Sequence, residues 1–313
     1  MKTTINIVLT VLCIGSGSTL QAQQNPMFTH YMYNTLSVNP AYAGSREALS
    51  ITAIHRSQWV GFSGAPMTQT LTLHSPIFNK HIGLGLTAMN DKIGPVNTTG
   101  VSGAFAYIMQ LTERSKLALG VSGGVNILQA DLTSVALDDP DDPTYLNNTR
   151  NRTTPNFGVG AYYSRDRFYA GISVPNLVES DLSSVENVDG VALVGKATRH
   201  YFFIAGAMFR LTDNLGFLPT TLVKATAGAP LQVDVTASFV IHRKLSLGAM
   251  YRTGDAFGAL IGFDISEQFR ISYSFDWSYG VRTAQYNSGS HEIMLRYEFI
   301  YPGKKQIRSP RYF

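Results

Sequence analysis

The chain has 313 residues, of which 15% are charged, with 28 glycines, 17 phenylalanines, 16 tyrosines and one cysteine. Average soluble domains carry about 25% charge, so this composition argues against soluble domains and suits one large membrane barrel. A formal net charge of +4 is too small and too dispersed to imply nucleic acid as a partner.

Residues 1–22 read as a secretory signal peptide. Met1-Lys2 is the positive start, Ile5 to Ile14 is an apolar run too short to span a bilayer, and Leu20-Gln21-Ala22 offers the cleavage site. Cys13 lies inside this segment, and Leu12 before it is too large for a lipoprotein signal. The mature chain is thus expected to hold no disulfide, no thiolate nucleophile and no cysteine-ligated metal. No later apolar run approaches the ~20 residues of a membrane helix.

Residues 23–47 are rich in Tyr, Met, Phe and Asn, and Pro40 and Gly44 punctuate them. They are expected to fold into a barrel lumen as a plug, or else to sit at its periplasmic mouth. The plug is favoured because a wide barrel needs filling if it is not to leak.

Residues 48–300 alternate between apolar and polar. A period of two puts one set on each face of a strand. The last segment is the clearest case: Ile293, Leu295, Tyr297 and Phe299 alternate with Glu292, Arg296 and Glu298. Charge on one face alone suits lipid outside and a polar interior. Fourteen segments are predicted, at 48–59, 66–75, 80–90, 100–111, 115–128, 154–164, 167–175, 199–211, 217–227, 231–241, 244–253, 256–265, 268–278 and 290–300. The even-numbered connections are short, as at Arg165-Asp166 and His242-Arg243, and the long ones (91–99, 129–153, 176–198 and 279–289) are all odd-numbered. Bacterial barrels have an even strand number, short periplasmic turns and longer outer loops. The expected fold is therefore an all-β, transmembrane outer-membrane β-barrel of about fourteen antiparallel strands, with both termini periplasmic.

The run Asn39-Pro40-Ala41-Tyr42-Ala43-Gly44, followed by Arg56-Ser57-Gln58-Trp59 and by Gly64-Ala65-Pro66, resembles the PorP/SprF family of Bacteroidota outer-membrane proteins. Gly228-Ala229-Pro230-Leu231, Gly248-Ala249-Met250-Tyr251-Arg252 and Tyr273-Ser274-Phe275-Asp276 extend the resemblance over the mature chain. It implies a role in the type IX secretion system, which exports proteins and moves surface adhesins in gliding species. The implied partners are a secreted adhesin or other type IX cargo, or periplasmic ring lipoproteins of the machinery. The resemblance brings no catalytic residues. Asn39, Pro40, Tyr42, Gly44, Arg56, Gln58 and Trp59 are the structural or partner-binding candidates. Arg56 is expected to pair with a lumen carboxylate, and Trp59 to be an interfacial girdle residue or a plug contact.

Other chemistry is weakly signalled. Gly83-Leu84-Gly85-Leu86-Thr87-Ala88 fits a dinucleotide pattern, but that motif needs a strand–turn–helix. Glycines on one face of an alternating strand more simply make room in a lumen. Asp138-Asp139-Pro140-Asp141-Asp142 reads as a solvated outer loop, with Ca²⁺ or a cationic partner as the sharper readings. No two of the seven histidines have the spacing of a helical zinc site, and no nucleophile elbow accompanies the serines. Residues 301–313 carry four basic groups and no acid, and read as a short periplasmic tail. No enzyme activity, cofactor or metal is expected. The functional expectation is a structural component of type IX secretion that binds other proteins within outer-membrane lipid. A passive channel or hydrophobic-substrate transporter is the alternative.

Overall fold

The computed structural model describes residues 26–77, 80–134, 149–181, 196–279 and 287–300. The expected signal peptide, the acidic run at 138–142 and the basic tail lie outside the described residues.

Fourteen strands close into one barrel. They are β1 (Leu49–Ser57), β2 (Met67–Ile77), β3 (Ile82–Ile93), β4 (Val96–Thr112), β5 (Ser115–Ala130), β6 (Thr149–Arg165) and β7 (Phe168–Val174), followed by β8 (His200–Ala207), β9 (Leu215–Thr226), β10 (Gln232–Ile241), β11 (Leu245–Arg252), β12 (Ala256–Asp264), β13 (Phe269–Ser278) and β14 (Ser290–Phe299). Each strand pairs antiparallel with its sequence neighbours, and β14 returns to β1, with Leu49 opposite Phe299 and Ser57 opposite His291. Closure pairs every strand on both sides, as hydrocarbon requires, while the far part of β6 (149–158) extends past the end of β7. After β8 a short extension, Phe209–Arg210, keeps pairing with β9. A two-residue pairing of Ser180–Asp181 with Lys196–Ala197 decorates the β7–β8 connection.

The alternation sorts the side chains. On β14, Glu292 is fully buried while Ile293 is 45% exposed. Arg56, Asp234, Arg252, Arg270, Asp276, Glu292, Arg296 and Glu298 all face inward. Leu71, Leu84, Leu86, Val121, Ile172, Val235, Phe239 and Ile261 cover the outside. Aromatic rings bound this apolar surface: Phe217 and Phe239 at one end, and Tyr251, Phe257 and Tyr279 at the other. Paired rings at two levels match the interfacial girdles of membrane barrels. Among the described residues no helix is long and apolar enough to cross a membrane, and the strands do the crossing.

β1 starts and β14 finishes at the same rim, here the terminal end. The connections at that end span 78–81, 113–114, 166–167, 208–214, 242–244 and 265–268, while those at the far end include the long 58–66, 131–148, 175–199 and 279–289 beside the short 94–95, 227–231 and 253–255. Three expectations need correction. The segment 91–99 is not a long loop: β3 and β4 run on to a two-residue turn at Gly94 and Pro95. Hydrophobic alternation fades there, but cross-strand polar pairs keep the ladder, with Asn90 Nδ2 donating to Asn97 Oδ1 at 2.8 Å and to Thr99 Oγ1 at 2.9 Å. The loop expected over 129–153 is likewise shortened, because β5 runs to Ala130 and β6 starts at Thr149. The first strand also stops at Ser57, so Gln58 and Trp59 belong to the far-end loop.

Candidate functional site

Residues 28–46 fold into the barrel lumen and are almost entirely buried. Two short 3₁₀ turns, Thr35–Ser37 and Pro40–Tyr42, give the segment its shape. Asn39 caps the second turn: its Oδ1 accepts the Ala41 N–H at 3.0 Å, and Pro40 sits where a missing N–H does no harm.

The first half of the plug is held by charge. Glu292 on β14 accepts the Thr29 and His30 backbone N–H groups at 2.9 and 2.8 Å and meets His30 Nδ1 at 2.7 Å. Arg56 on β1 lies 2.7 Å from Asp276 and 3.0 Å from Glu292, which ties strands and plug into one network. Thr29 Oγ1 also donates to Asp276 at 2.7 Å, and His30 Nε2 meets Ser272 Oγ at 2.8 Å. The Tyr31 hydroxyl reaches Thr220 and Thr236 at 3.0 and 3.3 Å. Thr72 donates to Asn34 Oδ1 at 2.7 Å. A buried carboxylate with this many donors is well compensated for its lost hydration.

The second half is held by shape. Gly83, Ala106, Gly120, Gly160 and Ser173 are register partners in succession, so they form one row of small residues across β3 to β7. The plug backbone lies along this row. A β-carbon at Gly83 would overlap the Ala43 carbonyl, one at Gly120 would overlap Ala41, and one at Gly160 would overlap the Asn39 side chain. Asn39 Nδ2 donates to the Ala161 and Ile172 carbonyls at 3.1 and 3.3 Å, and Ser173 Oγ donates to the Val38 carbonyl at 2.7 Å. Gly44 has φ +75°, a conformation suited to glycine. A β-carbon there would sit 2.7 Å from the Gly83 Cα. Tyr42 stands edge-on to His74 and Tyr162, with ring centroids 5.2 and 5.3 Å apart.

The plug ends at the terminal rim. Arg46 pairs with Glu298. Burial opposes the Arg46 charge, yet Glu298 more than compensates, and the pKa is raised. Burial would also raise the Glu47 carboxyl, but Lys116 and Lys80 hydrogen-bond to it and hold it below its ordinary value. Arg270 lies over the Tyr33 ring at 4.3 Å and donates to its hydroxyl at 2.9 Å.

The candidates thus fall in three places. Asn39, Pro40, Tyr42 and Gly44 lie together along the small-residue row, and Arg56 lies in the charged anchor. Gln58 and Trp59 stand apart at the far rim, where the Gln58 N–H donates to the Pro66 carbonyl at 2.9 Å and the Trp59 N–H to Ser290 Oγ at 3.1 Å. Gly83 is part of the seat of the motif, and no strand–turn–helix surrounds it. Residues that sequence reasoning did not single out include Glu292 and Asp276 as plug anchors, and Gly120, Gly160 and Ser173 as the seat. Their strand faces were legible, but their register was not.

Two cavities flank the plug. One of about 350 Å³ opens toward the far end between Leu36, Val38, Pro40 and the walls of β3 to β8. The other, about 570 Å³, opens at the terminal end beneath β10 to β14.

Several solved structures are similar to this chain at low identity. The Acinetobacter baumannii outer membrane protein Omp33 is 9% identical over 81% of this chain and 100% of its own, with a TM-score of 0.47. The CymD monoaromatic hydrocarbon channel is 11% identical over 92% and 96%, with a TM-score of 0.47. A TodX monoaromatic hydrocarbon channel mutant is 9% identical over 85% and 94%, with a TM-score of 0.48. No curated protein matches the sequence significantly. The profile of the type IX secretion system membrane protein PorP/SprF matches residues 20–297. With a closed barrel that is apolar outside and charged within, the chain belongs to the PorP/SprF family and is an outer-membrane component of type IX secretion.

Proposed function

We propose that this barrel is a closed, non-enzymatic platform that binds partner proteins at its two mouths and supports export or surface attachment of type IX cargo. The lumen-filling plug carries this reading, because a barrel filled by its own chain acts through its surfaces. The short turns suit a periplasmic terminal end, and the longer connections suit an extracellular far end. In that orientation a secreted adhesin or other cargo meets the far rim, and ring lipoproteins meet the terminal mouth. In gliding species the same attachment would serve surface adhesins.

The test is gentle detergent extraction of the tagged protein from its own cells, followed by mass spectrometry. Co-purification of a large secreted protein supports the cargo role, and recovery of periplasmic lipoproteins supports the machinery role. Recovery of the folded barrel alone, with secretion intact after deletion, would overturn both.

A passive channel or hydrophobic-substrate transporter is the second reading, favoured by the 350 Å³ far-end cavity and its partly apolar lining of Leu36, Val38, Met89 and Phe202. It requires a path past Phe28 to Arg46, which lie buried in the lumen and line both cavities.

A further inference from the structure

The terminal-end cavity is built unlike the far one. Arg46, Arg270 and Arg296 line it from within, and Arg243 and Lys244 stand at its lip. The acids on its wall are Asp264, Glu267 and Glu298, so cations outnumber them by two, leaving His242 aside. The three inner guanidiniums are poorly shared out. Arg46 takes Glu298 as its partner, which leaves Arg296 at 3.8 Å from the same carboxylate. Arg296 is 4% exposed and its Nη1 has no hydrogen-bond partner among the described residues. Arg270 is held by Asp264 at 2.9 Å, Ser246 at 2.7 Å and Tyr33, yet its Nε is also unpartnered among the described residues.

Buried guanidinium N–H groups left unpaired are costly, and a planar fork of donors matches a carboxylate. Beside them lie the inward-facing side chains of Tyr33 and Val240. A cavity of about 570 Å³ has room for a few residues of peptide.

We propose that the terminal-end cavity is a receptor for the carboxylate of a short acidic and partly apolar peptide segment of a partner protein. The incoming carboxylate accepts from the guanidinium groups that line the cavity, with Arg296 Nη1 turning toward it, and apolar side chains beside it pack on Val240 and the edge of Tyr33. The three wall acids disfavour a compact dianion such as phosphate, whereas a segment with two separated carboxylates spreads its charge and balances the cationic excess of two. The chain's own tail is a poor occupant, because residues 301–313 carry Lys304, Lys305, Arg308 and Arg311 and no acidic side chain. The inference rests on the proposed orientation only for placing this partner in the periplasm.

The test measures binding of a fluorescent Phe-Glu-Phe-Glu peptide to the purified full chain in detergent, beside its Phe-Gln-Phe-Gln counterpart and inorganic phosphate. The acidic peptide is expected to bind at least tenfold more tightly than the neutral one. Arg296→Gln should weaken it tenfold or more, and Arg296→Lys should recover part of the loss. The Arg243→Gln/Lys244→Gln double variant lies on an exposed turn and keeps the test open if Arg296→Gln fails to fold. It should weaken binding about two- to fivefold and flatten its salt dependence. Lys92→Gln, at the far end of β3, should change nothing. Equal binding of both peptides, insensitivity to Arg296→Gln in a folded barrel, or binding of phosphate that displaces the peptide at equal concentration would overturn the proposal. So would peptide binding that appears only after residues 304–313 are removed, since the occupant would then be the chain's own C-terminus. Because binding is read in detergent, its outcome is independent of orientation, which surface labelling in cells tests separately.

Discussion

The two sides of the lumen hold the same plug by opposite means. β13, β14 and β1 present Asp276, Glu292 and Arg56, and they grip Thr29 and His30 through ion pairs and hydrogen bonds. β3 to β7 present Gly83, Ala106, Gly120, Gly160 and Ser173, and they receive Asn39 to Gly44 by leaving space. One side fails when a charge loses its partner, and the other fails when an atom is added.

The charged side should show the largest single effect. Glu292→Ala leaves His30, two backbone N–H groups and part of Arg56 without their acceptor. Breaking a buried pair from one side costs about 3–5 kcal/mol. The readout is maleimide labelling of Met32→Cys, a buried plug position, in a chain lacking Cys13. Labelling should be slow in the parent and fast with Glu292→Ala. Glu292→Gln keeps the shape and should fall between them. If Glu292→Ala labels as slowly as the parent, the charged anchor is not what holds the plug.

On the other side, Gly120→Val should press on Ala41. Overpacking of this kind costs about 1–3 kcal/mol, and occasionally more. It should release Asn39 to Gly44 while leaving the Glu292 contacts in place. An introduced Ala43→Cys should therefore label faster than Met32→Cys in this variant, the reverse of the order with Glu292→Ala. Equal rates at both positions in both variants would show that the plug leaves as one body. A milder probe is Gly44→Ala, which sets a β-carbon at φ +75° near Gly83. Left-handed backbone at a non-glycine residue costs about 1 kcal/mol or more. A modest fall in the urea midpoint should result.

The smallest effect concerns Glu47 at the rim, where Lys116 and Lys80 hold the carboxylate. Its folded pKa lies below its unfolded value of about 4.3. The contribution is therefore full above that value and lost as pH falls through the folded one. Glu47→Gln should lower the urea midpoint slightly at pH 7, and the difference from the parent should shrink at pH 3. A difference that stays constant with pH would remove the charge from the explanation.

Much of the barrel was legible because a period of two survives in nearly every strand. Glu292 between Met294 and Ser290 could be placed indoors from the sequence alone. Its partners could not, since Thr29 and His30 lie more than 260 residues away. The motif Asn39 to Gly44 was legible as a punctuated segment, and Gly83 as a space-maker. That Gly83, Gly120 and Gly160 stand in one row depends on the relative shear of five strands, which no local pattern encodes. The hairpin at Gly94 and Pro95 was missed because its strands are paired by Asn and Thr rather than by an apolar face. The terminal-end cavity was equally hidden, because Arg46 comes from the plug and meets Arg270 and Arg296, which face each other across β13 and β14, only in the folded lumen.

The most direct test of the central claim, a lumen closed by its own chain, is conductance of the purified full chain in a planar bilayer. The parent protein should be nearly silent, and Glu292→Ala should open discrete steps as the plug is released. Stable porin-like conductance from the parent, unchanged by Glu292→Ala, would contradict the closed platform and favour the channel.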